Sequence, residues 1–193
     1  MKKNSRNTKS RIVAAAWKLF YSQGYDDTTI EDIVELSETS KGSFYHYFGG
    51  KDELLSTLSE LFDDKYEELI PRLEPGMDPV DKLAFLNREL FLMIENTVPI
   101  ELLGRLFASQ LTTRGDRHLL RTDRTYYKLL RQIAVEGLER EVFRRDLTAN
   151  DIMKAYAMFE RGLMYDWCIC NGDYSLCNYA QQILPVFLRG FCQ

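Results

Sequence analysis

Cysteine is absent from most of this 193-residue chain: all four, Cys168, Cys170, Cys177 and Cys192, crowd into its last stretch. A secreted disulfide framework would staple the whole fold, so reduced, buried thiols are the expectation here. A metal or redox role for Cys168, Cys170 and Cys177 stays open, although a zinc site usually needs four N/S ligands and no histidine lies nearby. Histidine is scarcer still, with His46 and His118 alone and far apart, and neither sits in a catalytic or metal motif. Gly49-Gly50-Lys51 hints at a phosphate loop, but Tyr45 occupies the required glycine and Asp52 the required Ser/Thr. Carboxylates such as Glu89, Glu95 and Glu160 show no metal-ligand spacing with histidine. An enzyme is therefore not expected, nor a cofactor. No apolar run approaches the eighteen residues of a membrane helix, and no apolar leader follows the basic start, so no membrane association and a cytoplasmic location are expected. With only five prolines and eleven glycines, long helices are unobstructed.

What remains is an ordinary globular composition, 45% apolar and 28% charged, with an uneven charge distribution. The formal net charge is −4, yet residues 1–51 carry eight basic against six acidic residues. The first six basic residues, among them Lys3, Arg6, Lys9 and Arg11, precede any acid. A basic leading arm on an acidic body is the asymmetry of a chain whose one end meets phosphate.

Hydrophobic periodicity is helical throughout, with no alternation long enough for a sheet. The first helix is expected over Thr8–Gln23, stopped by Gly24. Thr29-x-x-Asp32 forms an approximate capping box opening a short helix to Leu36. Ser37–Ser40 makes a turn, and Ser40 caps a helix over Lys41–Tyr47. Gly49-Gly50 breaks it, and one long helix is expected from Lys51 to about Leu69. Pro71, Pro75, Gly76 and Pro79 mark a connection. Further helices are expected at about 79–96, 99–112 and 117–144, then one capped by Thr148 or Asn150 and running to about Cys170, and a last one at 175–191. The class is all-α, with about nine helices in two domains: a helix-turn-helix domain at 1–50 and a helical domain at 51–193.

Three short helices, the last two joined by a four-residue turn, fit helix-turn-helix geometry, which projects the start of its second helix into the major groove. Within Ser40–Tyr47, Gly42 and Ser43 permit close approach. Lys41, Ser43, Tyr45 and His46 can donate to phosphates or base edges. Phe44 and Phe48, four apart, can face inward together.

The runs Thr28-Thr29-Ile30-Glu31-Asp32-Ile33, Thr39-Ser40-Lys41-Gly42-Ser43-Phe44-Tyr45-His46-Tyr47-Phe48 and Lys51-Asp52-Glu53-Leu54-Leu55 closely resemble the DNA-binding signature of TetR-family repressors, continuously from about Ile12 to Leu58. The resemblance implies nine helices, a homodimer on a palindromic operator, and release by a small molecule held in the C-terminal domain. It implies that Thr28, Thr29 and Lys51 hold phosphates, that Thr39, Ser40, Lys41, Gly42, Ser43, Tyr45 and His46 line the groove, and that Tyr47 touches the DNA backbone. The chain departs from the pattern at Glu38, where a glycine is usual in the turn, at Thr39, and at Gly50, a weak cap.

The C-terminal part holds fourteen aromatic residues and five methionines between Met77 and Gln193. Such side chains suit a pocket for an apolar or planar effector. Phe91, Phe107, Tyr126, Met158 and Phe159 are the candidates. The resemblance also implies a four-helix bundle between subunits, built here from Phe159, Gly162, Leu163 and Trp167 with Ile183, Leu184, Phe187, Leu188 and Phe191.

Overall fold

A computed structural model describes residues 2–112 and 117–193, with side chains from Thr8 onward within those ranges. Ten α-helical segments follow in order: α1 Lys2–Gln23, α2 Ile30–Leu36, α3 Lys41–Tyr47, α4 Lys51–Leu55, α5 Thr57–Leu69, α6 Pro79–Thr97, α7 Ile100–Thr112, α8 Thr125–Glu139, α9 Ala149–Ile169 and α10 Leu176–Arg189. Short 3-10 turns occupy Ile70–Arg72 and His118–Leu120. Among the described residues there is no strand, only an isolated bridge between Phe143 and Cys192. The fold is all-α as expected, and nine helices are counted when α4 and α5 are taken together.

Local chemistry explains the boundaries. Gly24 sits at φ 89°, the left-handed geometry that ends α1. Thr29 opens α2 through a full capping box: its hydroxyl accepts from Asp32 N at 3.1 Å, and Asp32 Oδ2 accepts from Thr29 N at 2.9 Å. Thr148 and Asp151 repeat the device at α9. Asp78 followed by Pro79 starts α6.

Three boundaries differ from expectation. The helix α1 begins at Lys2, so the basic arm is helical backbone; the Lys3 and Arg6 side chains lie outside the described ones. The long helix from Lys51 is jointed at Ser56, whose N–H bonds back to Glu53 O at 3.1 Å in a tightened turn. Three hydroxyls surround that joint and donate to carbonyls three residues back: Ser56 to Glu53, Thr57 to Leu54 and Ser59 to Ser56. Such back-bonding competes with the helical ladder and bends it. Finally, α8 stops at Glu139 rather than near 144. Glu141 turns at φ 59° and the Phe143 ring folds onto Gly137. A Cβ at Gly137 would lie 2.1 Å from that ring, so only glycine admits the reversal.

One continuous apolar core runs from Ile12 in α1 to Phe191 beyond α10. The N-terminal three-helix head meets the body through polar ties. Trp17 Nε1 donates to Thr57 Oγ1 at 2.8 Å, and Tyr21 OH donates to Thr97 O at 2.8 Å. Arg105 on α7 pairs with Asp26 and lies 4.8 Å from the centre of the Tyr25 ring. No helix among the described residues is long and apolar enough to cross a membrane.

Candidate nucleic-acid interface

Helix α3 is held by its apolar side and offers its other side outward. Phe44 and Phe48 are buried with Ile12, Phe20 and Ile33, as their spacing implied. The preceding turn places Glu38 at φ 49°, the positive region expected for the residue standing where a glycine is usual. Arg11 secures that turn, Nη2 donating to Glu38 O at 3.0 Å and meeting its carboxylate at 3.2 Å. Ser40 caps α3 by accepting from Ser43 N at 3.1 Å, and the two hydroxyls lie 3.0 Å apart. Thr39 Oγ1 lies 2.7 Å from Ser37 Oγ, which steadies the turn beside it.

From this frame Lys41, Gly42, Tyr45 and His46 are exposed, Tyr45 by 56%, while Ser43, Thr39 and Tyr47 are half-buried. The His46 and Tyr47 rings meet edge to face at 4.8 Å. Lys41 pairs with Glu31 of α2, and this contact lowers the Glu31 carboxyl and raises the Lys41 ammonium from their ordinary values. Both groups are exposed, so the pair adds little stability and can be exchanged for another anion. Thr29 is exposed at the α2 N-terminus, where the helix dipole favours an anion.

Two expected phosphate ligands are placed elsewhere. Thr28 is buried and its hydroxyl donates to Gly24 O at 2.6 Å. Lys51 turns inward: its ammonium donates to the carbonyls of Tyr25 at 2.5 Å and Thr28 at 2.7 Å, and lies 4.3 Å from the centre of the Tyr25 ring. The carbonyls of the 25–28 loop converge there, and a cation answers them. Tyr25 OH bonds to Asp52 on the same side. At Gly50 no side chain caps α4, and Glu53 compensates by accepting from Gly49 N at 2.7 Å.

In the body, the expected pocket residues separate. Phe107 and Tyr126 line cavities. Phe91 is fully buried core, Met158 is 65% exposed on the outer face of α9, and Phe159 stacks on Phe187 at 4.2 Å between α9 and α10. An outer cleft of about 460 Å³ is lined by Phe107, Leu111, Leu119, Leu120 and Tyr165 with Gln110, Arg117, Arg161 and Gly162. Behind it lies an inner chamber of about 30 Å³ reached past Phe107, Leu119 and Arg161, which line both. Arg161, Tyr66 and Glu160 of this chamber are not among the pocket residues expected from sequence. A carboxylate four residues after Tyr156 and three before Leu163, inside an apolar helical stripe, was the available signal.

The expected interface also divides. Leu163, Trp167, Leu184, Leu188 and Phe191 are buried within the chain, because they fall on the inward faces of α9 and the C-terminal end. Gly162 is exposed, and Phe159, Ile183 and Phe187 are half-buried. The apolar residues facing outward are Met158, Tyr165 and Ile169 on α9 and Tyr179 and Val186 on α10, the last 68% exposed. No cluster of metal-ligating residues occurs among the described residues, and the four cysteines are free thiols; burial raises the Cys168 thiol to about 11.

Residues 12–58 match the model of "Bacterial regulatory proteins, tetR family". The chain is 29% identical over 188 residues to the HTH-type transcriptional regulator HbdR of Aromatoleum sp. (strain CIB), covering 94% of this chain and 79% of that one. It is 31% identical over 100 residues to the HTH-type transcriptional regulator TtgR of Pseudomonas putida, spanning 52% of this chain and 47% of the relative. Its fold is similar to that of Thermus thermophilus FadR, a TetR-family transcriptional repressor solved in complex with lauroyl-CoA. There the TM-score is 0.72 at 22% identity, covering 94% of this chain and 93% of the other. Head geometry and family model agree that residues 12–58 form a helix-turn-helix unit of the tetR type, and the chain as a whole is similar to HTH-type transcriptional regulators.

Proposed function

We propose that the chain is a repressor that binds a palindromic operator as a homodimer and is released by a small molecule with an apolar or planar body. The observation that carries this reading is α3 itself: a short helix locked by Phe44 and Phe48 that leaves Lys41, Tyr45 and His46 exposed to face a groove. Ser40 and Thr29 flank it at helix starts suited to phosphate, and Thr39, Gly42, Ser43 and Tyr47 complete the proposed contact surface. Thr28 and Lys51 act from beneath, holding the loop that carries Thr29.

Dimerisation is supported by the outward apolar face of α9 and α10. Met158, Ile169, Tyr179 and Val186 are large apolar side chains left exposed on these two helices, the kind of surface a partner subunit covers. Gly162 on that face permits close helix approach. The stacked pair Phe159 and Phe187 fixes the angle between the two helices from within. A two-fold pair then presents two copies of α3, which must lie about 34–36 Å apart to enter successive major grooves.

The effector reading is supported by the outer cleft, whose volume of about 460 Å³ falls within the ordinary range of small-molecule sites. That Thermus thermophilus FadR is a repressor solved with lauroyl-CoA supports both repression and a ligand with an apolar chain. From the same helix that lines the cleft with Phe107, Arg105 reaches Asp26 and Tyr25 of the head. The route from cleft to head therefore runs through α7 as well as the jointed α4–α5 helix.

The test is selection of bound sequences from random DNA by the full chain, with light scattering on the same sample. A two-fold symmetric consensus bound by a dimer is expected. A stable monomer at micromolar concentration, or no enriched sequence, overturns the reading.

A further inference from the structure

The inner chamber of the body holds polar groups whose hydrogen-bond needs are unequal. Glu160, 1% exposed, accepts from Tyr126 OH at 2.6 Å and from Asn87 Nδ2 at 2.9 Å. Tyr156 OH lies 2.9 Å from both Leu83 O and Glu160 Oε1. One hydroxyl proton can serve one of these two oxygens. When it serves the Leu83 carbonyl, the contact with Glu160 needs a proton supplied by the carboxyl group itself. Burial raises the Glu160 carboxyl above its ordinary value, against the lowering pull of its hydrogen bonds from Tyr126, Asn87 and Tyr156 and of the nearby Arg161 charge.

The other charges on the lining can be counted the same way. Arg124 is matched by Asp63 through two bonds of 2.8 and 3.1 Å. Arg161 makes no salt bridge among the described residues, although it is near enough to Glu160 to lower that carboxyl. Its Nη1 donates to Tyr127 OH at 2.9 Å, and that hydroxyl in turn donates to Leu119 O at 3.0 Å. The guanidinium is thus aimed and held at the passage between cleft and chamber, with its remaining N–H groups uncommitted. Inside, the hydroxyl of Tyr66 is buried without a hydrogen-bond partner. An orphaned buried hydroxyl costs about 1–3 kcal/mol, so its place in the chamber wall calls for an acceptor.

A guanidinium without a salt bridge, an orphaned O–H donor and a carboxyl group whose burial favours the protonated form surround about 30 Å³ and describe a seat for a small anionic head, too small for a ring. The apolar cleft of about 460 Å³ outside it describes a seat for a body, with Arg117 at its wall adding positive charge. Building on the effector reading above, we propose that this two-part cavity takes an amphiphilic carboxylic acid. The carboxylate accepts from Tyr66 OH and Arg161, and the apolar body lies against Phe107, Leu119, Leu120 and Tyr165.

The experiment titrates the full chain calorimetrically with dodecanoate and 2-naphthoate, with their methyl esters, and with dodecylamine. At least one acid should bind, with its ester and the amine weaker by on the order of tenfold or more, as loss of a hydrogen bond to a charged group implies. Arg161→Gln should weaken the acid by a similar factor and leave the ester unchanged. Tyr66→Phe should weaken the acid several-fold while the free protein stays as stable as wild type or gains stability, because the orphaned group is gone. A purely structural role for Tyr66 would move stability and leave the acid-to-ester ratio alone. If neither acid binds, if ester or amine binds as tightly as the acid, or if both variants keep wild-type acid affinity, the assignment falls. DNA selection without any acid keeps this separate from the regulator reading. A chain that selects DNA yet ignores acids loses only the ligand assignment, and one that binds acids yet selects no DNA loses the repressor.

Discussion

The head and the body dispose of their polar groups in opposite ways. In the head, the inward polar groups find partners within the chain: Thr28 at Gly24 O, Lys51 at the carbonyls of Tyr25 and Thr28, and Tyr25 at Asp52. Its unsatisfied capacity lies outside, on Lys41, Tyr45 and His46. In the body the surplus lies inside, on Tyr66 and around Glu160. A surface that must meet a long polyanion can keep its donors in water at little cost, and a chamber for a small ligand must hold them dry. The two regions therefore differ in what a substitution removes.

The largest expected effect comes from the point where the head stops being a surface. Phe44→Ala should cost about 3–5 kcal/mol of head stability, because it empties a fully buried ring site, and DNA binding should vanish with the fold. Denaturant titration followed by circular dichroism checks it. A loss under about 1 kcal/mol would mean that α3 is not anchored from beneath. By contrast, Tyr45→Ala removes an exposed ring that meets the core only edge-on at Phe44, and should reduce operator affinity by about 1–3 kcal/mol with little change in unfolding midpoint. Equal losses of stability and affinity would erase the distinction between the two faces of α3.

In the body, one fully buried carboxyl ties stability to pH. The folded-state pKa of Glu160 is raised by burial, so between the unfolded carboxylate value and that raised value the folded protein binds more protons than the unfolded one. Stability from this group is full below the unfolded value and is lost as pH climbs through the folded one. Glu160→Gln should flatten that decline, measured as the difference between variant and wild-type unfolding free energies at several pH values. Asn87 can assist the variant, since its Oδ1 lacks a partner and can accept from the new amide. A difference independent of pH would place Glu160 in water. The smallest effect belongs to Glu31→Gln. Freeing Lys41 should raise affinity for any duplex by less than about 1 kcal/mol and steepen the salt dependence by up to about one phosphate contact, a slope near 0.9. An unchanged slope would show that Lys41 meets no phosphate.

The comparison also explains what could be read in advance. Caps and stops are local, so Thr29 with Asp32, Ser40 and Gly24 marked the head helices correctly. Phe44 and Phe48 sorted themselves inward by spacing alone. Lys51 and Thr28 did not, because residue type tells what a group can bond and not whether phosphate or a carbonyl arrives first. On α9 and α10 periodicity finds the stripe with the most large apolar residues, and that stripe serves the chain's own core. Leu163, Trp167, Leu184 and Leu188 therefore lie inside, and the outward face carries the sparser set of Met158, Ile169 and Val186. The reversal of Phe143 onto Gly137 depends on contact between a ring and a backbone, which no spacing rule encodes.

The joint at Ser56 changes what the connecting helix can transmit. A continuous rod passes on translation, whereas a hinged one converts displacement into rotation. The thirteen residues of α5 span about 20 Å, so a turn of about 10° at the joint sweeps its far end through an arc of about 3.5 Å. That far end lies in the body, so in the proposed two-fold pair a shift of about 3.5 Å there turns each head by the same angle about Ser56. The three hydroxyl bonds to Glu53, Leu54 and Ser56 are what a ligand in the body would have to work against to re-aim α3 through this joint.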